Sequence, residues 1–247
     1  MSNAVGAHRR LLAVFAHPDD ETFLAGGTLA RHAADGWDVR LITLTRGEAG
    51  RRGPYVDLSQ REFAALRETE LRAACAALGV ANLQVLGFPD KSIGLHEAEA
   101  LDAVTEVIAS WQPALVLTFG PDGISGHTDH VAVSRIVTAA VQQIIERIGS
   151  DPSAAASAPR LYYVARSPGV PGGCVSHDAV PPPPVTTIVD VTEAANGRSR
   201  AKGAYRSQLH LQAGATGVTS DDFLPEMFHR AFPRWISMTT ETVRLLP

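Results

Sequence analysis

The chain has 247 residues, 45% of them hydrophobic, and a formal net charge of -4. That is enough apolar material for a sizeable core, and a mildly acidic chain without a basic stripe argues against nucleic acid as a partner. No stretch approaches the roughly 18 apolar residues that a membrane span needs, and the N-terminus lacks a signal-peptide apolar run, so a cytoplasmic protein is expected. The two cysteines, Cys75 in a helical pattern and Cys174 in a loop, suggest neither a disulfide framework nor a cysteine-based zinc site.

The first element in the chain is the apolar run Leu11 to Ala16, which reads as a buried strand of a parallel sheet. It ends in His17-Pro18-Asp19-Asp20-Glu21, one imidazole and three carboxylates at the carboxyl end of a strand, where open α/β sheets bind ligands. His17 and Asp20 are three residues apart and can converge on one ion from a tight turn that Pro18 stiffens. Asp19 then points elsewhere, free to hold a water beside the ion as general base, with Glu21 supporting the ligands. The plainer reading is that the three acids only complement a helix dipole, worth about 0.3–1 kcal/mol each.

Downstream, apolar runs near 38–45, 83–87 and 114–119 read as further strands, and periodic stretches near 22–35, 60–79, 96–110 and 130–148 read as helices. This alternation implies βαβ units and a three-layer α/β fold, a mainly parallel twisted sheet with helices on both faces. After the strand at 114–119, a glycine-rich loop leads to His127-Thr128-Asp129-His130. A single histidine near a helix start is more often a cap. Two of them, beside Asp129 and matching an acidic cluster upstream, offer one ligand for a His2Asp site and one donor for a developing oxyanion.

Residues 150–159 read as a surface linker, and 161–165 and 186–191 as two more strands. The Gly- and Pro-rich excursion at 167–185 between them suits a binding wall or lid, or plain disorder. The expected organisation is one domain over 1–247, with a core at about 10–210 and a C-terminal elaboration at about 211–247. The basic segment from Gly50 to Tyr55 reads as a solvated loop that would favour an anionic conjugate if near the site. No Gly-x-Gly-x-x-Gly follows the first strand, no Walker A sequence is present, and Gly123-Ile124-Ser125-Gly126 lacks the spacing of a nucleophile elbow.

Taken together, these segments resemble the PIG-L/LmbE-type zinc-dependent de-N-acetylases of N-acetylglucosamine conjugates. His17 to Glu21 resembles that family's metal and base motif, and Gly26 to Ala30 the helix after it. Thr45 to Gly50, Arg67 to Leu71, Gly87 to Asp90 and His127 to His130 follow in consistent order, and Lys202 with Ser207-Gln208 resembles the family's late helix. The resemblance implies a Rossmann-like fold and one zinc ion per chain, or another divalent metal, held by His17, Asp20 and His130. It implies Asp19 as general base and His127 as oxyanion stabiliser or proton donor to the leaving amine, with Arg67, Asp90 and Glu48 contacting sugar hydroxyls. The implied partner is a small-molecule amino-sugar conjugate, and a homo-oligomer is compatible with it. Two positions depart from the pattern: Thr128 stands where many relatives carry proline, and Tyr205 where histidine is common.

Three other readings compete. Two histidines and a carboxylate also describe non-haem iron oxygenases, although Asp19 beside the ligands suits hydrolysis better. An amidase of a larger glucosaminide conjugate would use the same groups. A metal-bearing sugar-binding protein without catalysis would have no use for the intact base.

Overall fold

The computed structural model describes residues 9–149, 158–166, 180–208, 220–232 and 241–242. Its strands are β1 (Arg10–Phe15), β2 (Asp38–Thr43), β3 (Asn82–Val85), β4 (Leu115–Phe119), β5 (Arg160–Ala165), β6 (Thr187–Val189), β7 (Glu226–Phe232) and β8 (Glu241–Thr242). Its helices are α1 (Asp20–Ala34), α2 (Gln60–Leu78), α3 (Glu97–Trp111), the single turn α4 (Gly123–Gly126), α5 (Thr128–Ile148) and α6 (Ala195–Ala204). The expected strands and helices recur with ends shifted by at most two residues. β7, which joins the sheet, was not anticipated. Most of the excursion at 167–185, Cys174 and most of the linker lie outside the described residues.

The chain forms two compact units. The first takes in residues 1–14, 92–189 and 227–247, and the second 15–91 and 190–226. In the first unit the strand order is β1-β4-β5-β7-β6-β8. Leu11, Leu12 and Ala13 pair in parallel with Leu115, Val116 and Leu117, and β4 continues in parallel onto β5. β7 then pairs antiparallel with β5, with a register shift between Leu161 and Tyr162, so the sheet is mixed but mostly parallel. β4 and all of β1 after Arg10 are buried, as continuous apolar strands covered on both faces should be. Helices α3 and α5 pack against each other in this unit.

In the second unit β2 pairs in parallel with β3, and the end of β1 joins them, since Phe15 and Ala16 accept from the N–H groups of Leu44 and Thr45. Helices α1, α2 and α6 pack together here. α2 starts on a capping box in which the Ser59 hydroxyl accepts from the Glu62 N–H and the Glu62 carboxylate accepts from the Ser59 N–H, and it stops at Gly79 in the left-handed region (φ 74°). Its buried stripe of Phe63, Ala64, Leu71, Ala74, Cys75 and Leu78 also carries Arg67 and Glu70. Two charged groups on the apolar face of a helix need partners in the interior. The mostly parallel, helix-flanked sheet is the Rossmann-like architecture that the sequence pattern implies.

Candidate active site

In the second unit, β1 ends at Phe15 and α1 starts at Asp20, which leaves His17, Pro18 and Asp19 as the turn between them. Asp20 Oδ2 accepts from the His17 N–H at 2.8 Å and stands 3.4 Å from His17 Nδ1. His17 Nε2 lies 3.2 Å from Asp90 Oδ1. Asp90 reaches that position because its other oxygen accepts from the Ala49 N–H (2.8 Å) while its own N–H donates to Glu48 Oε1 (2.9 Å). The loops after β2 and β3 are thereby clamped to each other. Burial acts to raise the Asp90 carboxyl, but the His17 hydrogen bond and charge, the Ala49 N–H and Arg67 together hold it below its ordinary range. Glu48 Oε2 is buried without a hydrogen-bond partner among the described residues, where buried polar atoms usually have one.

Arg67 is no solvated helix residue. It is 3% exposed, and it donates to Asp19 Oδ2 (2.7 Å), to the Gly47 carbonyl (3.1 Å) and to the Pro18 carbonyl. Gly47 permits this approach, because a Cβ there would stand 2.2 Å from Arg67 Nη1, and its φ of 67° suits glycine. Glu70, one turn on, does not pair with Arg67; it accepts from both the N–H and the hydroxyl of Ser207. Asp19 carries φ 111° and ψ -31°, a conformation that costs a non-glycine residue about 1–3 kcal/mol. Burial raises its carboxyl to about 7, against the lowering influence of Arg67; Asp20 and Glu21 add to the rise and His17 opposes it.

Elsewhere in this unit, Lys202 pairs with the buried Asp222 (2.6 Å), and Ser207 and Gln208 follow α6 as buried residues. In the basic segment, Arg52 donates to the Leu58 carbonyl and lies 5.6 Å over the Phe63 ring, so it braces its own loop. Sequence reasoning gave Glu21 only a general supporting role, yet it is fully buried and hydrogen-bonded to Tyr205 and Thr22. Glu70 was not singled out from the sequence, although a carboxylate on an apolar helix stripe is a signal that could have found it.

In the first unit, the loop after β4 runs through α4 into α5, with His127 as the α5 N-cap. The Asp129 N–H donates to His127 Nδ1 at 3.2 Å, so in the neutral ring Nδ1 carries the lone pair and Nε2 the proton. His130 is opposite. Its Nδ1 lies 3.1 Å from the Gly123 carbonyl, which can only accept, so Nδ1 carries the proton and Nε2 the lone pair. The two neutral rings therefore present opposite groups at Nε2, a proton on His127 and a lone pair on His130. The His130 ring stacks on Phe119 and on His127, with centroids 4.1 and 4.7 Å away. Gly123 (φ 58°) is needed for this packing, since a Cβ there would meet Val131 Cγ2 at 2.8 Å and His130 Cβ at 3.2 Å. Asp129 is buried and accepts from the Ile93 N–H. Side chains that can offer ligand atoms to a metal ion include His17 and Asp90 in the second unit and His127, Asp129 and His130 in the first.

The family model described as PIG-L, GlcNAc-PI de-N-acetylase, matches residues 12–141. The chain belongs to the PIG-L family. It is 35% identical over 246 aligned residues, 85% of this chain and 84% of the relative, to a 1D-myo-inositol 2-acetamido-2-deoxy-alpha-D-glucopyranoside deacetylase of Actinosynnema mirum. Its structure resembles that of the N,N'-diacetylchitobiose deacetylase from Pyrococcus horikoshii, with TM-score 0.64, 21% identity, and 90% of this chain and 83% of that one covered. It also resembles the 4-carboxy-2-hydroxymuconate hydratase of Pseudomonas putida, with TM-score 0.69, 20% identity, and 93% and 98% covered. At such identities these structures establish the fold alone, and a fold that carries both a hydratase and a deacetylase does not choose the reaction. The PIG-L match and the curated relatives place this chain in a family of deacetylases, and the relatives are named for an N-acetylglucosamine-type substrate. Among its described residues no helix is long and apolar enough to cross a membrane.

Proposed function

We propose that this protein is a metal-dependent hydrolase that removes the N-acetyl group from a small N-acetylglucosamine conjugate, with zinc as the metal. His17, Asp20 and His130 are the proposed ligands. Two imidazoles and one carboxylate, with a coordination position left open, make a hydrolytic zinc donor set. The observation that supports the reading most is the opposed hydrogen bonding of the two histidines at Nδ1, which puts a lone pair on His130 Nε2, as a ligand needs, and a proton on His127 Nε2, as a donor needs. Bound there, a divalent ion would acidify a water and polarise the amide carbonyl.

The chain's own groups carry the remaining steps. Asp19 takes the proton of the attacking water as its oxygen bonds to the acetamide carbon. His127 donates from Nε2 to the carbonyl oxygen as negative charge develops on it. The C–N bond then breaks, acetate forms, and the departing amine takes a proton from Asp19 or His127. Arg67 fixes the Asp19 carboxylate through its hydrogen bond at 2.7 Å and opposes the rise in its pKa. Glu48 and Asp90 are proposed to accept from sugar hydroxyls, the former through Oε2, which has no partner among the described residues.

The test is acetate release from a panel of N-acetylglucosamine conjugates by zinc-loaded protein. The inositol conjugate named for the curated relatives comes first in the panel. Asp19→Asn is expected to keep zinc and lose most turnover, and His130→Ala to lose the metal. A fully active Asp19→Asn enzyme would overturn the base assignment. If zinc is bound but no conjugate releases acetate, the deacetylase reading fails in favour of an amidase of larger conjugates or a sugar-binding protein.

A further inference from the structure

Asp19 adopts a backbone conformation that belongs to glycine (φ 111°, ψ -31°), so some contact outside the turn must hold it there. Two groups do so. Arg67 grips the carbonyl of Pro18 and the carboxylate of Asp19. Glu21 Oε2 accepts from the Asp19 N–H at 3.1 Å. That bond exists only if the Glu21 side chain folds back towards the turn, and its rotamer is fixed at the other oxygen. Glu21 Oε1 accepts from the Tyr205 hydroxyl at 2.6 Å and from the Thr22 hydroxyl at 2.5 Å.

Tyr205 is itself immobilised. Its side chain is completely buried, and its ring lies 6.5 Å from that of Phe23. Two residues later Ser207 is tied through both its N–H and its hydroxyl to Glu70. Glu70 lies on α2, the helix that carries Arg67. A single helix thus anchors both arms that converge on Asp19, one directly and one through Ser207, Tyr205 and Glu21.

We propose that Tyr205 and Glu21 are positioning residues for the proposed base, Tyr205 acting through Glu21 to hold the Asp19 main chain in the conformation that aims its carboxylate. The inference rests on the deacetylase reading for its kinetic consequence, but its structural content does not. Tyr205 touches neither substrate nor reacting atoms in this scheme. Losing its hydroxyl therefore acts on the alignment of Asp19 and leaves substrate affinity largely untouched.

The experiment uses the full-length protein and Tyr205→Phe, which keeps the ring and removes the one hydrogen bond. Glu21→Gln, which replaces the acceptor pair, is a second variant should the first fail to fold. In zinc-loaded enzyme, kcat is expected to fall 10- to 100-fold with KM unchanged within twofold. By NMR hydrogen exchange on the metal-free protein, the Asp19 amide is expected to exchange at least tenfold faster than in the wild type, while the core amide of Leu12 is unchanged. A merely structural role would lower the melting temperature and accelerate both amides together. An unchanged Asp19 amide in a folded variant, or a kcat loss matched by a KM rise, would overturn the proposal. If the wild type releases no acetate the function is wrong, and the exchange measurement still decides the positioning role.

Discussion

Replacing Arg67 by methionine removes a buried cation while keeping most of the apolar stem that packs in the α2 stripe. Two carbonyl oxygens, of Pro18 and Gly47, lose their charged donor, at roughly 1 kcal/mol each. The Asp19 carboxylate also loses its counter-charge. Removing one partner of a fully buried pair costs about 3–5 kcal/mol. Asp19 keeps 22% of its side chain exposed and can protonate instead, so about 1–2 kcal/mol is the share expected here. The sum is about 3–4 kcal/mol, to be read by urea denaturation of the metal-free protein.

The same substitution has a signed pH effect. Arg67 lowers the Asp19 carboxyl, which stands at about 7 even so, and removing the cation moves it higher. Because the folded-state value lies above the ordinary 3.8, stability contributed by the protonated carboxyl is complete below 3.8 and is lost as pH rises through the folded value. The loss extends to higher pH in the variant, so its stability deficit is larger at pH 8 than at pH 5. A general base must be deprotonated, so the acid limb of the pH–rate profile moves to higher pH. A folded variant whose acid limb stays in place or moves down would show that Arg67 does not govern Asp19.

Gly123→Ala would push a methyl group against Val131 and His130, moving the carbonyl that orients the His130 ring; loss of such an orienting bond weakens metal binding roughly 10- to 100-fold. Competition with a zinc chelator measures this, and wild-type affinity in the variant would remove His130 from the proposed ligand set. Glu226 is buried, with its carboxylate accepting from the N–H groups of Gly27 and Thr28, and burial raises its pKa above 4.5 despite Arg198. Stability from its protonated form is complete below 4.5 and declines as pH rises through the folded value, so the wild type loses stability relative to Glu226→Gln over that window. Urea midpoints that diverge in the opposite sense would refute it.

Much of the candidate site could be named from the sequence because its residues are local. A strand, a turn and a helix start within eleven residues carry His17, Asp19 and Asp20, and the segment from His127 to His130 repeats the arrangement after β4. Apolar alternation likewise exposed the βαβ pattern, since each strand and helix writes its own period into the chain. By contrast, β7 entering the sheet antiparallel beside β5 depends on a pairing partner far away in sequence.

By itself, then, the sequence determined which residue types stand at the carboxyl ends of the strands, and hence the candidate donors, base and fold class. It left open which histidine ligates, and the tertiary structure bears on that choice by setting the Asp129 N–H against one ring and the Gly123 carbonyl against the other. Nor did the order of residues show that α2 would bring Arg67 onto Asp19, 48 residues away. Nothing in the order of residues announced that Tyr205 would meet Glu21 across a separation of 184. Metal and base motifs are short because neighbouring side chains share one turn. The groups that aim and tune them come from wherever packing brings a buried partner, and a buried polar atom must find one.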